Sequence, residues 1–484
     1  FHFRFAERIL QNGFFESFRD FKTLAFTNIA HGEHFLYYNF LFYVILVPFT
    51  FITPLYLGIK FFAIISVSFI GTTIYYFIKK MNIKYSFLWA IGFFAVVGLG
   101  SFWRLFLSRP FVLSPLIILL LILAIHKRKY FWIFFLSFIT LFWHTATFLI
   151  PLAVVALYFL CYAFYKKKYL WKETALVFLG ILLSVLFAFL IDDGFFISVK
   201  DNLFSVLLSV LNFSNEKVNV IKVGGEVYPK NFFDLLQQNM FLCIMFISAS
   251  VIYVFSFLKE VKKIVGFDST EKSRKIITMV FFVLSSVFIV AINFISNRFT
   301  DFFIFFSWIF IVLVFSESFL YIEFTKINLK KFFNYAFFVC LFYLFFNNSL
   351  QLNDMFAGSG SRPETFSQVG KYLSNNLEKG DIVFDVNWSW FPQLYYYAPE
   401  CSEKEIERDL SFKKKDLFKQ WTKNEGDKIA QSIFEDFKSD YIISSRDYFY
   451  LNSVLDNNKH FEKVVNNNNN EYFIYKILSI KNAK

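Results

Sequence analysis

Apolar runs of roughly 18–20 residues alternate with short polar breaks along most of this chain, the pattern of helices that cross a bilayer. The runs fall at 61–78, 85–103, 110–125, 130–143, 146–165, 174–191, 240–258, 276–296, 302–316 and 332–346. Shorter runs still qualify, because tilt and local thinning of the bilayer absorb mismatch. Every second break is rich in lysine: Lys79-Lys80 with Lys84, Lys127-Arg128-Lys129, Lys166-Lys167-Lys168, Lys259 through Lys275, and Lys326 through Lys331. Lysine and arginine collect on the cytoplasmic side of a membrane protein. The intervening breaks hold Arg104 and Arg109, then His144, then residues 192–239, then Arg298 and Asp301. The alternation closes without conflict and places residues 1–56 and 347–484 outside the cytoplasm.

One run interrupts this count. Residues 35–52 are apolar enough to span, and a single crossing there would carry Lys79 and Lys80 to the outer side. Either the segment lies flat or re-enters, or the positive-inside bias fails locally. The first is expected, because Pro48 and Pro54 disturb a straight helix. Loop 192–239 is long for a membrane connection, and residues 195–211 carry apolar side chains at helical spacing, which suits a helix at the interface.

The composition changes near residue 347. A Gly-, Ser- and Pro-bearing linker at 352–363 is followed by a helix-like stretch at 364–378 and a short strand at 381–385. Helix-like stretches come next near 403–420 and 427–438. A strand at 441–444 and a final strand pair at 461–465 and 472–475, with Asn466–Asn470 as the hairpin tip, complete a small α/β domain. The expected fold is therefore mainly α: a polytopic helical membrane domain of about ten or more spans with a small C-terminal α/β soluble domain. Its divisions are an extracytoplasmic first loop with interfacial helices (1–56), the transmembrane domain (57–347) and the extracytoplasmic domain (348–484). The opening Phe1 also suggests an upstream membrane helix absent from this sequence.

Composition sharpens this picture. The chain has 484 residues, is 57% hydrophobic and contains 76 Phe and 26 Tyr, more apolar surface than a soluble protein of this size can hide. A net charge of +12 then reflects orientation and anionic headgroups, not nucleic acid. The cysteines Cys161, Cys243, Cys340 and Cys401 form neither a disulfide framework nor a metal spacing. Walker, dinucleotide-binding, zinc and serine-nucleophile motifs are missing.

Ionisable residues at the outer breaks are the candidates for chemistry. The first loop reads Phe1-His2-Phe3-Arg4-Phe5-Ala6-Glu7-Arg8 and later His31-Gly32-Glu33-His34. Imidazole and carboxylate in one outer loop can supply an acid–base pair or bind a divalent ion; the same charges also suit an interfacial helix facing water. Arg104, Arg109 and Arg298 oppose the positive-inside bias. A guanidinium forks well onto phosphate oxygens, whereas snorkelling to headgroups, or for Arg298 an ion pair with Asp301, is the plainer role. His144 at a tight outer turn is a helix-end cap or a site residue. Gly224-Gly225-Glu226-Val227-Tyr228 offers close backbone approach beside a carboxylate, or simply a turn.

These segments resemble a family. Phe1-His2-Phe3-Arg4-Phe5-Ala6-Glu7, Gly32-Glu33-His34-Phe35-Leu36, Trp103-Arg104 with Ser108-Arg109-Pro110, Asn297-Arg298 with Asp301, and in the C-terminal domain Gly380-Asp381 with Pro392-Gln393-Leu394-Tyr395 and Asp440-Tyr441 are similar, in order and sidedness, to the GT-C superfamily of polytopic glycosyltransferases. The resemblance implies transfer of a sugar, with inversion, from a polyprenyl-phosphate-linked donor to an extracytoplasmic protein, lipid or glycan acceptor. It implies an Asp base in the first loop, which would precede Phe1, leaving Glu33, with His34 and His2, as the catalytic candidates within the chain. Arg104, Arg109 and Arg298 become donor-phosphate ligands, and Arg4, His144, Glu226 and Tyr228 substrate-loop residues. The loop after residue 100 lacks a paired-carboxylate DxD, so the metal-independent, single-sugar branch fits somewhat better, with Mg or Mn kept as an option. The alternatives are a transporter or flippase of lipid-linked glycans, which should carry ionisable residues in mid-span, and an O-antigen ligase or polymerase, whose large outer loop should come later in the chain.

Overall fold

The structure is a computed structural model; it describes residues 2–12, 39–106, 109–144, 147–191, 230–261, 269–321, 339–351, 363–377, 383–385, 440–446, 449–466 and 472–478. Helix α1 (His2–Asn12) packs on α2 (Phe40–Thr50), and a turn carrying Pro54 leads into α3 (Leu55–Lys80). A bent pair follows, α4 (Ser86–Val96) and α5 (Leu99–Leu105), then α6 (Pro110–His126), α7 (Tyr130–Trp143), α8 (Ile150–Lys166) and α9 (Trp171–Ile191). Beyond loop 192–229 come the short α10 (Phe232–Gln238), α11 (Met240–Val261), α12 (Ser269–Phe294), a 3-10 turn at Asn297–Phe299 and α13 (Thr300–Tyr321). A further helix, α14, covers 339–351.

Among the described residues, five helices (α3, α9, α11, α12 and α13) are long and apolar enough to cross a membrane, six if the bent pair is one span. The expected count of about ten spans is not confirmed among the described residues. The runs at 110–125, 130–143 and 146–165 do form helices, but of 17, 14 and 17 residues. At 1.5 Å per residue these reach about 21–26 Å, short of a hydrocarbon core of about 30 Å. The segment at 35–52 yields the 11-residue α2, too short to cross, with Pro48 in its last turn and Phe42 and Leu46 sealed in the core. Its last turn approaches α3 closely: a Cβ on Gly58 would collide with the Phe49 carbonyl oxygen.

Apolar surface is distributed as lipid requires. Helix α9 exposes Phe178, Leu182, Leu186, Phe187 and Leu190, the reverse of a soluble helix. Helix α13 is apolar all round and 83% buried over its span, whereas α11 is only 22% buried. Helix α13 is thus the central post, packed between α11 and α12.

The run expected to span at 85–103 is bent by 114° between α4 and α5, as a broken span or a re-entrant loop. Val97 and Gly98 are extended there, and a Cβ on Gly98 would overlap the Gln238 carbonyl oxygen. A broken helix frees backbone groups that lipid cannot satisfy. Two asparagines from distant helices take them up. Asn348 Nδ2 donates to the Ala95 carbonyl (3.0 Å) and the Val97 carbonyl (3.1 Å), and Gly98 N–H donates to Asn239 Oδ1 (3.2 Å). The break therefore turns α5 aside from the line of α4.

The two kinds of polar break separate. Arg128, between α6 and α7, reaches Glu173 at the start of α9 (3.6 Å) and donates to Tyr162 Oη (2.8 Å) near the end of α8. At the lysine-bearing end of α12, Arg274 donates to Ser316 on α13. Lys79, Lys80 and Lys166 lie over the rings of Tyr75, Tyr76 and Tyr162, the arrangement of an interfacial aromatic belt. Some 18 residues further along α12, about 27 Å away, Ile292 accepts a hydrogen bond from Lys230 N–H (2.9 Å).

The C-terminal residues form a four-stranded sheet in the order β1 (Val383–Asp385), β2 (Tyr441–Ser445), β4 (Tyr472–Ile477), β3 (Phe461–Asn466). β1 and β2 are parallel; β4 is antiparallel to β2 and to its hairpin partner β3. Val369 and Leu373 of α15 (Pro363–Asn376) pack on Val383, Ile443 and Ile474. Helix α16 (Phe449–Asn457) links β2 to β3. The helix-like stretches expected near 403–420 and 427–438 lie outside the described residues.

If the lysine-bearing end is cytoplasmic, Phe233→Cys on α10 is labelled by an impermeant maleimide in intact cells, in a chain cleared of its own cysteines. Lys167→Cys is labelled only after permeabilisation. Labelling of both together would defeat this sidedness.

Candidate functional site

The structure gathers Arg104, Asp301, Lys230, Arg298 and His144 at the end of the bundle opposite the lysine breaks. At its centre, Arg104 at the last turn of α5 grips Asp301 in the first turn of α13. Nε donates to Oδ1 and Nη2 to Oδ2, each at 3.0 Å. The Asp301 side chain is 1% exposed and that of Arg104 15%. A carboxylate is favoured at a helix N-terminus, and a parallel fork on it is the strongest neutralisation available. Asp301 is therefore committed to Arg104, and the pair with Arg298 weighed from sequence proximity does not form. The distance of 197 residues between the partners hid this pairing from sequence reasoning.

Among the described residues, Lys230 and Arg298 add positive charge at this end, partly offset by Asp234. Lys230 precedes α10, and burial first, then repulsion from Arg104, lowers its pKa despite the opposing pull of Asp234. Arg298 is exposed on the 3-10 turn, where Ser296 Oγ accepts its backbone N–H at 3.2 Å. Arg109 is exposed at the N-cap of α6, one residue from Pro110, whose carbonyl accepts the Trp143 indole N–H at 2.9 Å.

His144 follows the last residue of α7 in an extended conformation. Its backbone is fully engaged: N–H donates to the Thr140 carbonyl (3.1 Å), and its carbonyl accepts both Thr147 N–H and Thr147 Oγ1 (2.9 Å each). The ring packs edge-on against Phe111, 5.2 Å between centroids, and Phe111 in turn meets Phe302 beside Asp301. Nδ1 is buried and has no hydrogen-bond partner among the described residues. Burial, reinforced by the Arg298 charge, lowers its pKa from 6.5 to about 3, so the imidazole is neutral at ordinary pH.

The other sequence candidates divide by where they fall. His2 and Arg4 lie on α1, whose Phe3, Ala6 and Ile9 are buried; nothing is described of the two side chains themselves. Glu33, His34, Glu226 and Tyr228 lie outside the described residues. Among the described residues no three His, Cys, Asp or Glu side chains converge as a cation site. Lys230, Asn239 and Asn348 are the residues that sequence reasoning missed. The only signal for the asparagines was a polar side chain at the edge of an apolar run.

No family model matches this chain, and no curated protein matches it. Among solved structures, the archaeal oligosaccharyltransferase AglB from Archaeoglobus fulgidus, in complex with an inhibitory peptide and a dolichol-phosphate, is similar over 99% of this chain and 70% of its own, with a TM-score of 0.60 and 11% sequence identity. The shared feature is the fold.

Breaking the Arg104–Asp301 pair from one side strands a buried charge. Arg104→Met is expected to cost about 3–5 kcal/mol in denaturation of the detergent-solubilised protein, and Asp301→Leu in the same chain to recover most of it. Independent, additive losses would show that the two do not act as a unit. His144 gives a pH signature. Its folded pKa lies below its unfolded one, so the unfolded chain binds the extra proton and stability falls as pH drops from about 6.5 towards 3. Between pH 7 and pH 5 the wild type should lose more melting temperature than His144→Phe; equal losses would mean the imidazole is not held neutral.

Proposed function

We propose that this chain is a membrane glycosyltransferase that moves a sugar from a polyprenyl-phosphate-linked donor to an extracytoplasmic acceptor, with inversion. The observation that carries the proposal is the gathering of Arg104, Arg298 and Lys230 at one end of a helical bundle that shares its fold with a lipid-phosphate-binding oligosaccharyltransferase. That enzyme's complex holds a dolichol-phosphate and a peptide; a lipid phosphate and an extracytoplasmic acceptor are the corresponding partners proposed here.

The chemistry is group transfer. The acceptor oxygen attacks the anomeric carbon from the face opposite the phosphate, the carbon–oxygen bond to phosphate breaks, and its electron pair leaves with the phosphate. The acceptor proton passes to a carboxylate of the first loop, where Glu33, flanked by His34, is the residue the chain offers. Negative charge grows on the leaving phosphate. Preplaced cations stabilise such charge at low cost because they need not reorganise. Arg298, exposed on its turn, is the direct phosphate ligand. Arg104 already gives its fork to Asp301, so its part is to hold α5 and a net-neutral floor beneath the phosphate. Lys230 adds a second cation, and Arg109 lies along the rim.

The lipid donor supplies the driving force, so no nucleotide site is required on the outer side. Both Asp301 oxygens are taken by Arg104, so this carboxylate is not offered to Mg or Mn. No step here runs through a metal. The C-terminal α/β domain is assigned to the same outer side, where it would meet the acceptor.

Membranes bearing the chain should transfer labelled sugar from a polyprenyl-phosphate donor. Arg298→Ala should lower kcat/KM about 10²-fold, with insertion and melting temperature retained. Undiminished transfer by the variant would remove Arg298 from the phosphate site; a wild type inert with every such donor would remove the transferase reading.

A further inference from the structure

Among the described residues at the Arg298 end, His144 carries a polar atom that folding leaves without use. His144 is 8% exposed, all of its backbone hydrogen bonds are made, and yet its Nδ1 faces no partner among the described residues. A buried donor or acceptor without a partner costs about 1–3 kcal/mol, and an apolar ring of similar shape would avoid that cost. The setting invites one: Phe111 already packs against the imidazole, and Trp143 and Phe142 beside it are buried. The neighbouring turn between α12 and α13 presents Arg298, whose charge acts on the ring.

Phosphate is matched by the guanidinium, not by a neutral imidazole. What a neutral imidazole matches is a hydroxyl, which both donates and accepts and so pairs with either tautomer. A sugar hydroxyl on a lipid-phosphate donor lies one bond network away from the phosphate. We infer that His144 is a specificity-determining residue, its imidazole hydrogen-bonding a hydroxyl of the transferred sugar while Arg298 holds the phosphate. This rests on the transferase reading and adds to it a contact that selects the sugar. A site built to pair with a hydroxyl discriminates strongly, because the wrong sugar leaves the buried ring unpaired.

The test separates binding from folding. Melting temperatures of the purified full chain are read without lipid, with farnesyl phosphate, and with farnesyl phosphate carrying mannose, glucose or galactose. In the wild type, one sugar-bearing lipid should stabilise several degrees beyond farnesyl phosphate itself. His144→Phe and His144→Leu should melt at or above the wild-type temperature without lipid and keep the shift from farnesyl phosphate. They should lose the sugar-dependent increment, which His144→Asn partly restores. An unchanged increment in the Phe and Leu variants would overturn the inference alone. So would a drop of several degrees in both variants without lipid, which would show that water or protein partners make the ring structural. A wild type unmoved by any of these lipids would overturn the transferase reading and this inference together.

Discussion

The end of the bundle opposite the lysine breaks is organised by one ion pair. Arg104 arrives on α5, a short helix turned aside from α4, and Asp301 arrives at the head of α13, the most buried helix of the bundle. Neither charge is tolerable there alone. Their contact ties the broken segment to the central post and fixes where Lys230, Arg298 and His144 stand. The bend that delivers Arg104 depends in turn on Gly98, which has no Cβ to strike the Gln238 carbonyl, and on Asn239 and Asn348, which take up the backbone groups the break exposes.

Lipid makes this economy necessary. Within hydrocarbon every freed N–H and C=O needs a protein partner, so an interrupted helix survives only where others can supply one. The protein meets that demand with amides, which carry no charge, and keeps charge for the two ends. At one end lysines rest on tyrosine rings and Arg128 bridges two inter-helix breaks. At the other, arginine and lysine surround a carboxylate already neutralised.

Stability and use pull apart at His144. Its backbone is secured by three hydrogen bonds while its ring keeps an atom unsatisfied. An apolar ring of similar shape would avoid the cost of that unpaired atom.

The sequence alone determined the membrane character, the helical runs, the strand pair at the C-terminus and the clustering of lysines in alternate breaks. Each of these is written in local hydropathy and charge, which the bilayer reads residue by residue. It also singled out Arg104, Arg298 and His144, because polar side chains at the outer ends of apolar runs are conspicuous. Only the tertiary structure decided who meets whom. Apolar character predicted a span at 85–103, but the bend there is supported by Asn239 and Asn348, far along the chain. Proximity paired Asp301 with Arg298, yet packing gave it to Arg104, 197 residues away. The length of the runs at 110–165 was legible as apolar character but not as reach, since where a helix stops depends on the caps and neighbours it finds. Contacts of long sequence separation leave no periodic trace, and the site is built almost wholly from them.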